Sequence, residues 1–310
     1  LRCLVGSEMC IRDRYEVNED MATNTPFGQR LGLVLEGGAM RGIYTAGVLD
    51  VFLEAGIMPD VVVGVSAGAL HGCSYVAGQK GRSIRYYRKY RSDKHFMGLY
   101  SLLTTGDVVG TKFCYEDIPL RLDPFNEAAF EKAPVDFYVT VTNVRTGKPE
   151  YILCDELKVG SKMDVIRAGA SMPLCSKMVE WNGNLYLDGG VSDSIPYAKM
   201  KDFGCRKSIV VLTQPAGYLK QPAAMAPFEA MYRKYPAFVE AMRGRDQMYN
   251  TEVCAVEQAA KQGDVFLIRP SKLLHVGRME HDIEVLNAQY ELGRQDARNQ
   301  MDAMREWMER

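Results

Sequence analysis

The chain is poor in the residues that most binding and catalytic classes depend on. It has four histidines among 310 residues, at positions 71, 95, 275 and 281, so a histidine-based relay has few candidate members. Its eight cysteines are scattered, with no CxxC pair and no Cys/His cluster at zinc spacing, which excludes a zinc ribbon or a CxxC redox motif. They read as reduced thiols, most of them buried, in a cytoplasmic protein. A net charge of −1 argues against bulk nucleic-acid binding. No run approaches the ~18 consecutive apolar residues that span a bilayer. Internal repeats, low-complexity tracts and an obvious linker are also lacking. The opening segment LRCLVGSEMCIRDR has no long apolar core, so it does not read as an export signal. Leu4 to Arg14 can instead be back-translated into a string that resembles a transposon-end sequencing adaptor. Residues 1–20 are therefore expected to be a non-native or disordered tail, with Met21 the natural start.

What the chain does have is alternation. LGLVLEGG reads as a buried strand entering a glycine turn, and GIYTAGVLDVFLEAG as a helix with apolar residues at 3–4 spacing. DVVVGV is a second strand, followed by the small-residue helix AGALHGCSYVAG. DFYVTVTNVRTGKPEYIL reads as two strands about a turn, MDVIRAGAS as a helix ended by Pro173, and GNLYLDGG as a short strand. SIVVLTQP and DVFLIRP are two further buried strands, and 223–262 and 280–309 are mostly helical. This order predicts an α/β fold: three α/β/α layers about a mostly parallel sheet, in one domain over 21–310 with a helical C-terminal region from about 216.

Three glycine-flanked turns carry the chemistry. Gly64-Val65-Ser66-Ala67-Gly68 follows a Val-rich strand and precedes a helix, as a nucleophile elbow requires. The two glycines remove side chains where backbones would collide, and the helix N-terminus favours an alkoxide-like Ser66. The same pattern also fits a tight strand–helix turn without chemistry. EGGAMRG, Glu36 to Gly42, leaves backbone N–H groups of Gly37, Gly38 and Ala39 free to face an anion, either as a phosphate loop or as an oxyanion hole, with Arg41 adding positive charge. It does not fit GxGxxG, and no GK[ST] follows, so a nucleotide site has little support. YLDGG places Asp188 at a strand end, where DGG alone is a turn but beside a serine elbow becomes a candidate base. Among the histidines, His71 lies five residues after Ser66 and points poorly at it, His95 reads as surface, and His275 or His281 remains an alternative base in the order Ser…Asp…His.

In this order, EGGAMRG, GVSAG and DGG resemble the patatin-like phospholipase family over residues 31–215, DVIRAGASMP included. The resemblance implies Ser66 as nucleophile, Asp188 as its partner, Gly37, Gly38 and Ala39 as oxyanion donors with Arg41 in support, and no cofactor or metal. It implies a lipid acyl hydrolase, cytoplasmic or peripheral at a membrane. Two positions depart from the family's D-G-G-G-x-R-G. Glu36 replaces the aspartate and alters how the loop is braced. Ala39 replaces the third glycine and keeps the N–H, so the hole survives provided that Ala39 needs no positive φ.

The stretch from Lys80 to Leu103 interleaves basic residues with Tyr86, Tyr87 and Tyr90. It reads either as a solvated helix face or as a surface for anionic lipid headgroups. The methionine-bearing late helices read as packing faces, or as a lid or acyl groove. An esterase or thioesterase for small soluble substrates and a non-catalytic lipid-binding protein are the alternative functions. A nucleotide-binding enzyme is the remaining class.

Overall fold

The computed structural model describes residue 26 and residues 28–310. The tail over 1–20 and the expected start at Met21 lie outside the described residues. The strands are β1 Arg30–Leu35, β2 Val61–Val65, β3 Asp136–Asn143, β4 Pro149–Leu153, β5 Val179–Trp181, β6 Asn184–Asp188, β7 Cys205–Val211 and β8 Val265–Ile268. They form one eight-stranded sheet in the order β5-β6-β3-β2-β1-β7-β8, with β4 on β3. The pairs β3/β2, β2/β1, β1/β7 and β7/β8 are parallel. The β3/β4, β3/β6 and β5/β6 pairs are antiparallel, so the expected parallel sheet has an antiparallel end. The short β5 was not legible as a separate strand.

The helices are α1 Ile43–Glu54, α2 Ala67–Val76, α3 Arg82–Tyr90, α4 Leu99–Thr105, α5 Glu127–Lys132, α6 Met163–Gly169, α7 Ala226–Met231, α8 Pro236–Arg243, α9 Arg245–Gln262 and α10 Ile283–Glu309. Successive side chains of the central strands point to opposite faces. Leu33, Leu35 and Phe137 pack with Val48, Phe52, Ile166, Leu292 and Met304 from α1, α6 and α10. Val34, Val63 and Val210 pack with Tyr249, Val256 and Ala259 from α9. Strands covered on both faces read as continuous apolar runs, which is why VVVGV is buried throughout.

Two glycines let α10 lie directly on α1. A Cβ on Gly47 would sit 2.1 Å from the Tyr290 carbonyl oxygen, and one on Gly293 would sit 2.1 Å from the Tyr44 carbonyl oxygen. The crossing is fixed by Tyr44 Oη donating to Asp296 at 3.0 Å and Tyr290 Oη donating to Asp50 at 2.6 Å. The segment Phe113–Leu122 winds as a π-helix with Pro119 inside it, an element that sequence periodicity does not signal.

Candidate active site

Ser66 stands between β2 and α2 with φ 53 and ψ −122, a left-handed conformation rare for a residue with a Cβ. The flanking glycines make the turn possible. A Cβ on Gly64 would lie 2.5 Å from Ala69 Cα, and one on Gly68 would lie 2.3 Å from the Leu35 carbonyl oxygen. Ser66 Oγ donates to Asp188 Oδ2 at 2.6 Å. Strand register makes this meeting: Val65 pairs with Thr140 and Asp188 with Val141, so adjacent residues of β3 carry the two chains side by side.

Asp188 is held from several directions. Its N–H donates to Ser171 O at 2.9 Å, its carbonyl accepts from Thr142 Oγ1 at 2.8 Å, and Oδ1 accepts from Gly190 N at 2.8 Å. Burial raises its pKa, against the Ser66 hydrogen bond, the Arg245 charge, the Gly190 N–H and Lys220. Ser171 belongs to the DVIRAGASMP segment and so ties α6 to the site.

The Gly37–Arg41 loop leaves β1 and packs on Ser66. A Cβ on Gly37 would lie 2.8 Å from Ser66 Cβ, and one on Gly38 would lie 2.7 Å from Thr213 Oγ1. Thr213 Oγ1 donates to Gly37 O at 2.9 Å. Glu36 is buried and accepts from Thr213 N at 2.5 Å and from the Tyr249 hydroxyl, so the longer carboxylate braces the loop onto β7 and α9. Among the described residues, the N–H groups of Gly37, Gly38 and Ala39 have no acceptor within the chain. The condition set for Ala39 is not met, because its φ is 49. Ala39 thus takes a left-handed conformation that favours glycine and carries a strain of about 1–2 kcal/mol. Arg41 follows in a 3₁₀ turn, and its Nε is buried without a partner.

The histidines lie elsewhere. His71 is buried, bonds Ser83 Oγ through Nδ1 at 3.1 Å, and is held down to about 3 by burial, hence neutral. His95 bonds Asp93 at 2.8 Å. His275 and His281 are exposed in the segment before α10, and the partner of Ser66 Oγ is Asp188.

An apolar pocket opens beside Ser66, lined among others by Met40, Leu70, Tyr87, Tyr115, Met163 and Met172. The basic-aromatic stretch divides. Arg82 is buried against Asp123 and Ser74, Arg85 pairs with Asp123 at 2.6 Å, and Arg91 donates to Met279 and Glu280 carbonyls. Tyr86 and Tyr87 line the pocket. Arg85, Arg88, Lys89 and Lys94 face solvent, and on α4 Leu99 and Leu103 are 70% and 76% exposed. Among the described residues no cluster of three or more His, Cys, Asp or Glu side chains could hold a metal, and no helix is long and apolar enough to cross a membrane.

Sequence reasoning missed Arg245, Lys220 and Tyr249. Arg245 Nε donates to Gly190 O at 2.5 Å, and Lys220 Nζ stands 4.0 Å from the centre of the Tyr249 ring. No local motif surrounds them, and only the packing of α9 under the site brings them in.

Residues 33–200 match the family described as patatin-like phospholipase, and residues 235–309 match a domain of unknown function, DUF6363. The Uncharacterized protein YjjU of Escherichia coli is 28% identical over 86% of this chain and 75% of its own length. Lysophospholipase nte1 of Aspergillus terreus is 30% identical over 57% of this chain, which covers 11% of that protein. Among solved structures, VipD from Legionella pneumophila is similar at a TM-score of 0.44 and 13% identity, over 90% of this chain and 67% of that one. With the family model covering more than half of its length, the chain belongs to the patatin-like phospholipase family.

Proposed function

We propose that this protein is a serine acyl hydrolase that cleaves carboxylic esters of lipids through Ser66 and Asp188. The observation that carries the reading is the 2.6 Å hydrogen bond from Ser66 Oγ to a buried carboxylate, at the mouth of an apolar pocket. Asp188 accepts the Ser66 proton as Oγ attacks the ester carbonyl. The N–H groups of Gly37, Gly38 and Ala39 receive the oxyanion, with Arg41 adding charge. Collapse of the tetrahedral intermediate passes the proton to the leaving alcohol and leaves an acyl-enzyme. Asp188 then takes a proton from water, which attacks the acyl group and frees the fatty acid. Burial supports this role, since a carboxylate at its ordinary pKa is a weak base for a serine and a raised one is better matched.

The pocket favours a long acyl chain over a small soluble one, because its lining is aromatic and aliphatic. Exposed Leu99 and Leu103 on α4, close in sequence to Phe96 and Met97 of the pocket lining, give the protein a surface for peripheral contact with a lipid interface.

A fluorophosphonate probe with mass spectrometry of the adduct tests the reading. The expected result is an adduct on Ser66, absent in Ser66→Ala and slowed by about 10²–10⁴-fold in Asp188→Asn. A melting curve for each variant separates lost chemistry from lost fold. A folded wild-type protein that takes no label would leave a lipid-binding role, and labelling indifferent to Asp188 would return the search to His275 and His281.

A further inference from the structure

Three basic side chains stand beside the candidate dyad without a carboxylate to pair with. Arg41 follows the glycine loop, Lys220 follows β7, and Arg245 opens α9. Among the described residues none of the three has an acidic side chain within ion-pair distance. Each is placed by its own contacts. Arg245 donates from Nε to Gly190 O, and its Nη2 lies 3.5 Å from where a Gly190 Cβ would be, with Asp188 Oδ1 3.2 Å from the same point. Lys220 is held over the Tyr249 ring, whose hydroxyl bonds Glu36 at the root of the loop, and its backbone is pinned by Asn250 at 2.9 and 3.1 Å. The Arg41 Nε–H is buried and has no acceptor. The two nearby carboxyls are already engaged, Glu36 by Thr213 N–H and Asp188 by Ser66 and Gly190.

We infer that Arg41, Lys220 and Arg245 form an anion subsite that takes a phosphate group next to Ser66. This deepens the lipid-hydrolase reading and rests on it for the source of the phosphate, a lipid headgroup. Lys220 and Arg245 lie outside residues 33–200, and Arg245 falls within the 235–309 segment, so the subsite gives that C-terminal region a role in recognition. None of the three lines the apolar pocket, whereas Ser66 does. A substrate bound at Ser66 would thus meet an apolar wall in one direction and uncompensated positive charge in another, which is the polarity of a phospholipid or lysophospholipid. The crowding of like charge is felt within the group: burial and then Arg245 lower Lys220 to about 8, and burial lowers Arg245. A bound phosphate relieves that repulsion and supplies the acceptor that Arg41 Nε lacks.

The test compares wild type with Lys220→Gln, which leaves the Arg245–Gly190 bond in place. First, kcat/KM is measured for a lysophospholipid and for a monoacylglycerol of the same chain. The expected result is a fall of roughly tenfold or more in the ratio of the two, because charge-assisted contacts to phosphate are lost while the acyl contacts are retained. Second, inorganic phosphate is titrated into each protein by calorimetry, a readout that needs no turnover. Weaker phosphate binding in the variant with an unchanged substrate ratio supports the subsite and makes free phosphate its occupant. An unchanged ratio together with unchanged or absent phosphate binding overturns the inference. A protein inactive on every ester defeats the hydrolase reading alone, and the calorimetric comparison still decides for or against the subsite.

Discussion

Arg245 Nε donates to the carbonyl of Gly190 at 2.5 Å, and Gly190 N–H donates to Asp188 Oδ1 at 2.8 Å. Through this link the first residue of α9 acts on the candidate base as a positioning group and as a charge. Burial pushes Asp188 up, and the Arg245 charge opposes it. The acting form is the ionised one, so activity rises with pH as Asp188 loses its proton. Removing the charge in Arg245→Met raises the Asp188 pKa further and moves the acid limb of kcat/KM to higher pH, while Arg245→Lys keeps the limb near its wild-type position. Superimposable profiles for Met and wild type would show that Arg245 does not tune Asp188.

Ala39 at φ 49 invites a second substitution. Glycine takes this conformation without the Cβ–carbonyl clash, but it adds freedom to the unfolded chain. Ala39→Gly is expected to raise stability by about 1 kcal/mol or less, and Ala39→Val to lower it, because a β-branched side chain fits positive φ worse than alanine. Urea unfolding of the three proteins checks the order.

The lining of the pocket sets a chain-length preference. Leu70 stands on α2, one turn beyond Ser66, and faces the cavity. Leu70→Trp fills part of the space for the acyl chain. Hydrolysis of long-chain p-nitrophenyl esters is expected to fall by about 10-fold relative to the butyrate ester. Equal losses on short and long chains would place the acyl group elsewhere.

A half-buried acid pair joins the turn after Asp188 to α9. Glu252 on α9 accepts from Ser194 N and Ile195 N at 3.2 and 3.0 Å and shares a hydrogen bond with Asp193, which also accepts from Tyr151 Oη. Burial and the neighbouring Asp193 raise Glu252 well above the ordinary carboxyl range, so the folded pair keeps a proton that the unfolded chain releases. Its contribution to stability is full below the unfolded pKa and is lost as pH rises through the folded one. Glu252→Gln keeps the acceptor and the donor without titrating. Between pH 6 and 9 its unfolding free energy is expected to fall less than that of wild type; parallel curves would remove the pair from the pH response.

The two central turns were legible because their chemistry is local. A serine between glycines after VVVGV and an acid before two glycines after NLYLD each announce a strand end, and both stand where the motifs placed them. The alternation of buried strands and helices likewise followed from apolar periodicity. The antiparallel end was less legible, since β5 is three residues long, and the π-helix around Pro119 has no periodic signature. The positive φ of Ala39 ran against local preference, because the chain there is constrained by Ser66 and Thr213 rather than by its own side chain.

What the sequence determined by itself is the set of turns and buried strands, because glycine placement and hydrophobic pattern act within a few residues. What only the tertiary structure decided is which distant groups meet. The register of β3 sets Asp188 beside Ser66, and the packing of α9 sets Arg245 and Tyr249 beneath them. Charges interact through space over several ångströms, and no spacing along the chain encodes that distance.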